Sequence, residues 1–201
     1  MGLSMFSPKN LLIHLFYSLI VVGLFLYGAQ DSPLIGNITM ALIALDLAIL
    51  VKENSHVASK LLLTPFWLFF YPNTFFMVTQ LTNLQLASNT LWEQSSLILF
   101  MLTIPAILFG IMAGVESLEL IFKGYNIRHY SLRLLVIGTL ALTSSYAIYV
   151  AHFANLHSWD IFVQPFIVLN SMLAAISWET FPFIIGFTLI QIMVLVFAVD
   201  E

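Results

Sequence analysis

The 201-residue chain is 61% hydrophobic and 8% charged, against about 45–50% and 25% in a soluble domain, and a chain this size cannot hide so much apolar surface from water. Its formal charge of -4, spread along the sequence, implies no nucleic-acid partner. With no cysteine it has no disulfides, thiolate metal sites or cysteine nucleophiles, and lipid is the solvent that fits.

Six apolar runs are long enough, or nearly so, to cross a hydrocarbon core of about 30 Å: 11–29, 34–51, 61–78, 97–120, 132–151 and 181–199. Backbone groups cannot go unpaired in lipid, so each run is predicted to be a helix. The alternation of a barrel strand is absent. The first run is too long for a signal-peptide core and lacks a convincing cleavage site, so it reads as a retained helix. The expected fold is all-α: one polytopic transmembrane bundle of about six spans over 1–201.

Orientation follows from the basic residues. Lys9 precedes the first span, Lys52 and Lys60 lie between the second and third, and Lys123, Arg128 and Arg133 lie between the fourth and fifth. With six spans all of these fall on one side, so the positive-inside rule predicts both termini in the cytoplasm and a multi-pass protein of the plasma membrane. Before the last span, 161–175 is apolar but broken by Gln164, Pro165, Asn170 and Ser171. That length suits an interfacial or re-entrant helix. A seventh span there would instead put the C-terminus outside.

Polar residues inside spans are costly and raise a functional question. Asp46, Glu116 and Glu119 collect near the inner ends of their helices. Glu119 precedes Lys123 by four residues, the favourable order for a helical ion pair, and Arg133 is within reach of Asp46 or Glu116. This inner cluster reads either as paired interfacial charges or as a proton or cation path. His14, His56 and His129 stand singly near the boundaries and call for no special role.

The outer side is denser. Pro72 removes a helical hydrogen bond and predicts a kink in the outer half of the third span, and Asn73 follows at once, either as glue for the opened backbone or as part of a site. In the fifth span Ser145, Tyr149 and His152 fall on one helical face, which Asn155 extends. Ser158 and Asp160 suit a helix start, and Tyr149 and Trp159 suit the aromatic belt. His152, His157 and Asp160 have metal-ligand chemistry, but their spacing matches no metal motif. A Ser144 or Ser145 nucleophile beside His152 has no Gly-x-Ser-x-Gly context. No catalytic, metal or cofactor site is therefore assigned.

On these two segments the chain resembles the DUF1361 family of bacterial membrane proteins. The residues that carry the resemblance are Pro72-Asn73, the aromatics after them and Thr79, then Ser145, Ile148-Tyr149 and Ser158-Trp159-Asp160. The family's usual pattern has Asp after Thr79 and His three residues further on, where this chain has Gln80 and Asn83. It has two Arg and an Asn ahead of Ser-Trp-Asp, where this chain has His152, Asn155 and His157. Loss of an acid together with its basic partners leaves no charge stranded, which implies that Gln80 and His152 are neighbours. The family name implies no activity.

Together these readings predict one outward-facing polar pocket holding Asn73, Thr79, Gln80, Asn83, Ser145, Tyr149, His152, Asn155, Trp159 and Asp160. Such a pocket suits a small solute, a lipid headgroup or a partner's helix, hence a transport or capture subunit. The alternative is an assembly subunit in contact with another membrane protein, for which Gly110, Ala113 and Gly114 offer a small-residue patch. An intramembrane hydrolase is the third class, and would need contact between Ser145 and His152.

Overall fold

A computed structural model describes residues 7–27, 33–83, 94–154, 156 and 160–199, with the backbone alone at 82, 83, 95, 161 and 162. Every regular element among them is helical: α1 Pro8–Leu26, α2 Pro33–Glu53, α3 Val57–Phe70, α4 Pro72–Phe76, a 3-10 segment Met77–Asn83, α5 Gln94–Gly124, α6 Tyr130–Phe153, α7 Asp160–Val163, α8 Pro165–Ala174 and α9 Phe181–Ala198. Six stretches are long and apolar enough to cross a membrane, and α3, α4 and part of the 3-10 segment together form one of them, Val57–Leu81. The chain is thus an all-α multi-pass membrane protein, and each of the six predicted runs overlaps one of these stretches.

Proline marks the helix starts. Pro8, Pro33, Pro72, Pro165 and Pro182 each stand at the first or second helical position, where the missing N–H would have had no partner and the fixed φ is already helical. Ser7 caps α1, its hydroxyl accepting the Asn10 N–H at 3.2 Å. The predicted kink at Pro72 separates α3 from α4. Tyr71 keeps helical φ and ψ, but the next turn tightens, with the Thr74 N–H bonded to the Tyr71 carbonyl three residues back.

The chain divides into two compact units, Met1–Gly124 and Tyr125–Glu201. In the first, α2 is the central element. It buries Ile38, Ala41, Ala44, Leu45, Ala48 and Ile49, and the three alanines at helical spacing let neighbouring backbones come close. Leu24, Leu34, Ile38, Met77, Ala106 and Ile107 form one buried cluster drawn from α1, α2, the 3-10 segment and α5. The opposite face of α1, with Leu11, Leu12, Leu15, Phe16 and Leu19, is exposed as a lipid-facing surface must be. Where α5 ends, a Cβ on Gly124 would lie 3.2 Å from Lys52 Cα, and the Lys60 ammonium donates to the Gly124 carbonyl.

The second unit packs α6 against α9. Ile137, Leu140, Ala141, Ser144, Ser145 and Ile148 are its buried stripe on α6, with Phe187, Gln191 and Leu195 on α9. The expected interfacial or re-entrant segment is the pair α7 and α8, separated at Gln164, whose φ of -136° and ψ of 56° leave the helix. At ten residues α8 spans about 15 Å, too little to cross the bilayer. It buries none of its residues.

Candidate functional site

In the first unit the predicted inner acids are all engaged. Lys9 Nζ lies 2.6 Å from Glu116 Oε2, and Lys123 Nζ lies 2.6 Å from Glu119 Oε2, the expected i,i+4 pair. Asp46 Oδ1 faces His14 Nε2 at 3.4 Å. His14 and Lys9 were not read as these partners, although sequence position held a signal: His14 and Asp46 each lie about two helical turns from the same end of the unit. Arg133, in the second unit, donates from Nε to the Ile127 carbonyl at 3.0 Å, and the turn before it contains Asn126 at a positive φ of 54°.

The residues of the first unit predicted to lie on the outer side sit around the break at Pro72. Asn73 Nδ2 donates to the Phe70 carbonyl at 3.1 Å, inside the turn that Pro72 opens. The Thr74 and Thr79 hydroxyls donate to the Tyr71 and Phe76 carbonyls, each at 2.7 Å. Thr79 and Gln80 are buried. Asn73 thus bonds the backbone of its own span. Tyr71 is fully buried, and its hydroxyl, like the Trp67 indole N–H one turn below, has no hydrogen-bond partner among the described residues.

The small-residue patch on α5 is occupied from within. A Cβ on Gly110 would lie 2.7 Å from Met77 Sδ and 2.8 Å from the Thr74 carbonyl oxygen. One on Gly114 would meet Thr74 Oγ1 at 2.6 Å. These glycines seat the kinked segment of their own unit, so the patch lends no support to a partner helix.

In the second unit the face predicted for Ser145 and Tyr149 turns towards α9. Gln191 Nε2 donates to Ser145 Oγ at 2.8 Å, and both side chains are fully buried. The Tyr149 ring packs on Phe153 at 4.5 Å and on Phe183 at 5.5 Å between centroids. His152 meets the Phe153 ring edge-on at 5.0 Å. Seven residues of helix separate Ser145 from His152, a rise of roughly 10 Å, whereas a nucleophile and its base need contact within about 3 Å. Asp160 opens α7. Of the other predicted pocket residues, Asn155, Trp159 and the Asn83 side chain lie outside the described residues, as do His157 and Ser158. The pocket set is thus shared between the units, with Asn73, Thr79 and Gln80 in the first and Ser145, Tyr149, His152 and Asp160 in the second.

One feature of the second unit was not foreseen. Between α6, α8 and the start of α9 lies an open groove of about 560 Å³, lined chiefly by Leu142, Tyr146, Ala147, Met172, Ile176 and Ile184. The Tyr146 hydroxyl donates to the Met172 carbonyl and ties the end of α8 to α6. The Thr143 hydroxyl at its edge donates to the Thr139 carbonyl at 2.9 Å, and Thr180 to the Ser177 carbonyl at 2.7 Å. With these hydrogens already placed, the groove presents mainly carbon. No sequence signal marks it, because groove-lining and lipid-facing apolar residues look alike in a one-dimensional pattern.

A family model described as a protein of unknown function, DUF1361, matches residues 37–194. The chain belongs to the DUF1361 family. The match spans both units and covers the kinked segment, the α6 to α9 pair and the groove of this DUF1361 protein. No curated protein and no solved structure matches it.

Proposed function

We propose that this DUF1361 protein is a membrane component that binds an amphiphile through its acyl chain, for capture or transport, with the chain lying in the groove of the second unit. The observation that carries the reading is the groove itself. Its volume of about 560 Å³ falls among ligand sites of roughly 300–1,000 Å³. The hydroxyl hydrogens of Thr143, Tyr146 and Thr180 are bonded to backbone carbonyls, so an apolar occupant forfeits none of these three on entering. Ala147 lies six residues, about 9 Å, from the end of α6, so a chain in the groove lies close to that end of the span.

The same reading places both termini in the cytoplasm of a cell with a plasma-membrane copy of this protein. It is supported by the six basic residues, which share one side of a six-span chain. Bilayer lipid is then both solvent and the nearest source of the ligand.

The test is native mass spectrometry of the full chain released gently from its membrane, comparing wild type with Ala147→Phe, which fills the groove. Wild type retains an acyl-chain amphiphile at about one copy per chain, and the variant loses it. Equal retention by a variant that keeps its thermal stability would overturn the proposal.

A further inference from the structure

Independently of the groove, α1 and α2 hold an ionisable pair inside the membrane span, a placement that is costly unless it is used. His14 Nε2 stands 3.4 Å from Asp46 Oδ1, the separation of an ion pair rather than of a full hydrogen bond. The other ring nitrogen fixes the tautomer. His14 Nδ1 lies 2.8 Å from the Asn10 carbonyl oxygen, which can only accept, so Nδ1 carries a hydrogen. A neutral imidazole of this tautomer aims the lone pair of Nε2 at a carboxylate oxygen. Two acceptors facing each other repel, and a membrane interior screens that repulsion poorly. One proton, on Nε2 or on the Asp46 carboxyl, turns the repulsion into attraction.

We propose that His14 and Asp46 form a single-proton binding site, filled and emptied from the end of the first unit that carries Lys9 and Glu116. Every other charged group on the helices packed around the pair lies towards that end, where the buried Glu53 carboxylate oxygens have no hydrogen-bond partner among the described residues and His56 precedes α3. Lys9 of α1 is paired with Glu116 of α5, and Lys123 with Glu119 of α5. Lys52 and Glu53 close α2, and Lys60 of α3 donates to the Gly124 carbonyl. The element α4 and the 3-10 segment carry no charge.

In the other direction the polar track stops. Tyr17 Oη lies 2.9 Å from Thr39 Oγ1, and the Thr39 hydroxyl donates to the Ile35 carbonyl at 2.7 Å, so Tyr17 is the donor to Thr39. The Ser18 hydroxyl donates to the His14 carbonyl at 2.8 Å. The Thr39 and Ser18 hydrogens end on backbone carbonyls, which cannot pass a proton on, and the Tyr17 hydrogen ends on the Thr39 hydroxyl. The pair therefore stores a proton exchanged with one side and does not conduct it across.

The experiment is nitrogen NMR of ¹⁵N-histidine-labelled full chain in lipid vesicles at neutral pH, combined with the infrared carboxyl stretch. Wild type is expected to show one proton in the pair, either as a His14 imidazolium or as a protonated Asp46 carboxyl band. In Asp46→Asn that proton is lost, leaving His14 neutral with hydrogen on Nδ1 alone. A pH jump on the Lys9 side changes the wild-type signal, and one on the opposite side does not. A neutral His14 beside an ionised Asp46 would overturn the proposal, as would an imidazolium that persists in Asp46→Asn or an equal response from both sides. Should Asp46→Asn fail to fold, His14→Gln read by the carboxyl band gives the same decision: the band of a protonated Asp46, or its ionised form in wild type, must change on loss of His14.

Discussion

Replacing Gly110 by alanine probes the seat on which the kinked third span rests. The new Cβ would lie 2.7 Å from Met77 Sδ and 2.8 Å from the Thr74 carbonyl oxygen. The sulfur is the flexible end of a side chain and can move aside. The carbonyl belongs to the backbone of α4, which is held by Pro72 and by the bond from Thr74 Oγ1 to Tyr71, so α4 and α5 must separate. Overpacking of this kind costs about 1–3 kcal/mol, while glycine to alanine within a helix ordinarily gains about 0.5–1 kcal/mol. The expected net loss against wild type is about 0–2.5 kcal/mol, and against a glycine-to-alanine control the full overpacking cost of about 1–3 kcal/mol. Reversible unfolding in mixed detergent micelles measures it, with Gly138→Ala and Gly186→Ala as controls, since no neighbouring atom of the described residues outside the helix's own backbone lies within 4 Å of a Cβ at either position. The controls should be neutral or slightly stabilised. A Gly110→Ala protein as stable as Gly138→Ala would refute the reasoning.

Two further outcomes follow from buried polar groups. The Gln191–Ser145 bond joins α6 to α9, and a double-mutant cycle of Gln191→Leu with Ser145→Ala should give a coupling of about 0.6 kcal/mol, and at most about 1.7, as for other bonds between membrane helices; zero coupling would mean that the bond does not form. The Tyr71 hydroxyl is buried without a partner among the described residues, at a cost of about 1–3 kcal/mol, so Tyr71→Phe should raise the unfolding free energy by up to that amount. A clear loss of stability in Tyr71→Phe would show that the hydroxyl is bonded after all.

Much of the architecture was legible because membrane insertion depends on run length and composition, which are local. The six apolar runs, the break at Pro72, the short helix after Gln164 and the Glu119–Lys123 pair are all set within one stretch of chain. Pairings between helices are not local. His14 looked isolated because its partner lies on α2, and which face of α1 meets α2 is decided by packing; only the matched depths of His14 and Asp46 hinted at it. Gly110 and Gly114 belong to a small-residue patch expected to suit another membrane protein; spacing along α5 does not say what fills it, and in the same unit Thr74 lies against both glycines and Met77 against Gly110. Ser145 pointed at a polar site and found Gln191, a residue that the pattern of α9 left unremarked in an otherwise apolar run. The groove escaped notice for a different reason: it is a shape made by α6, α8 and α9 together, and its residues carry no polarity to flag it.

The most direct test of the proposed function is photolabelling with an acyl-chain probe in intact membranes, followed by mapping of the labelled residues. Every lipid-facing helix takes up some label, so the comparison is between surfaces of similar apolarity. Binding in the groove predicts label concentrated on 142–147, 172–176 and 181–184, well above that on the exposed α1 residues Leu15, Phe16 and Leu19, and displaced by excess unlabelled amphiphile. Uniform labelling of both surfaces, undiminished by competitor, would contradict it.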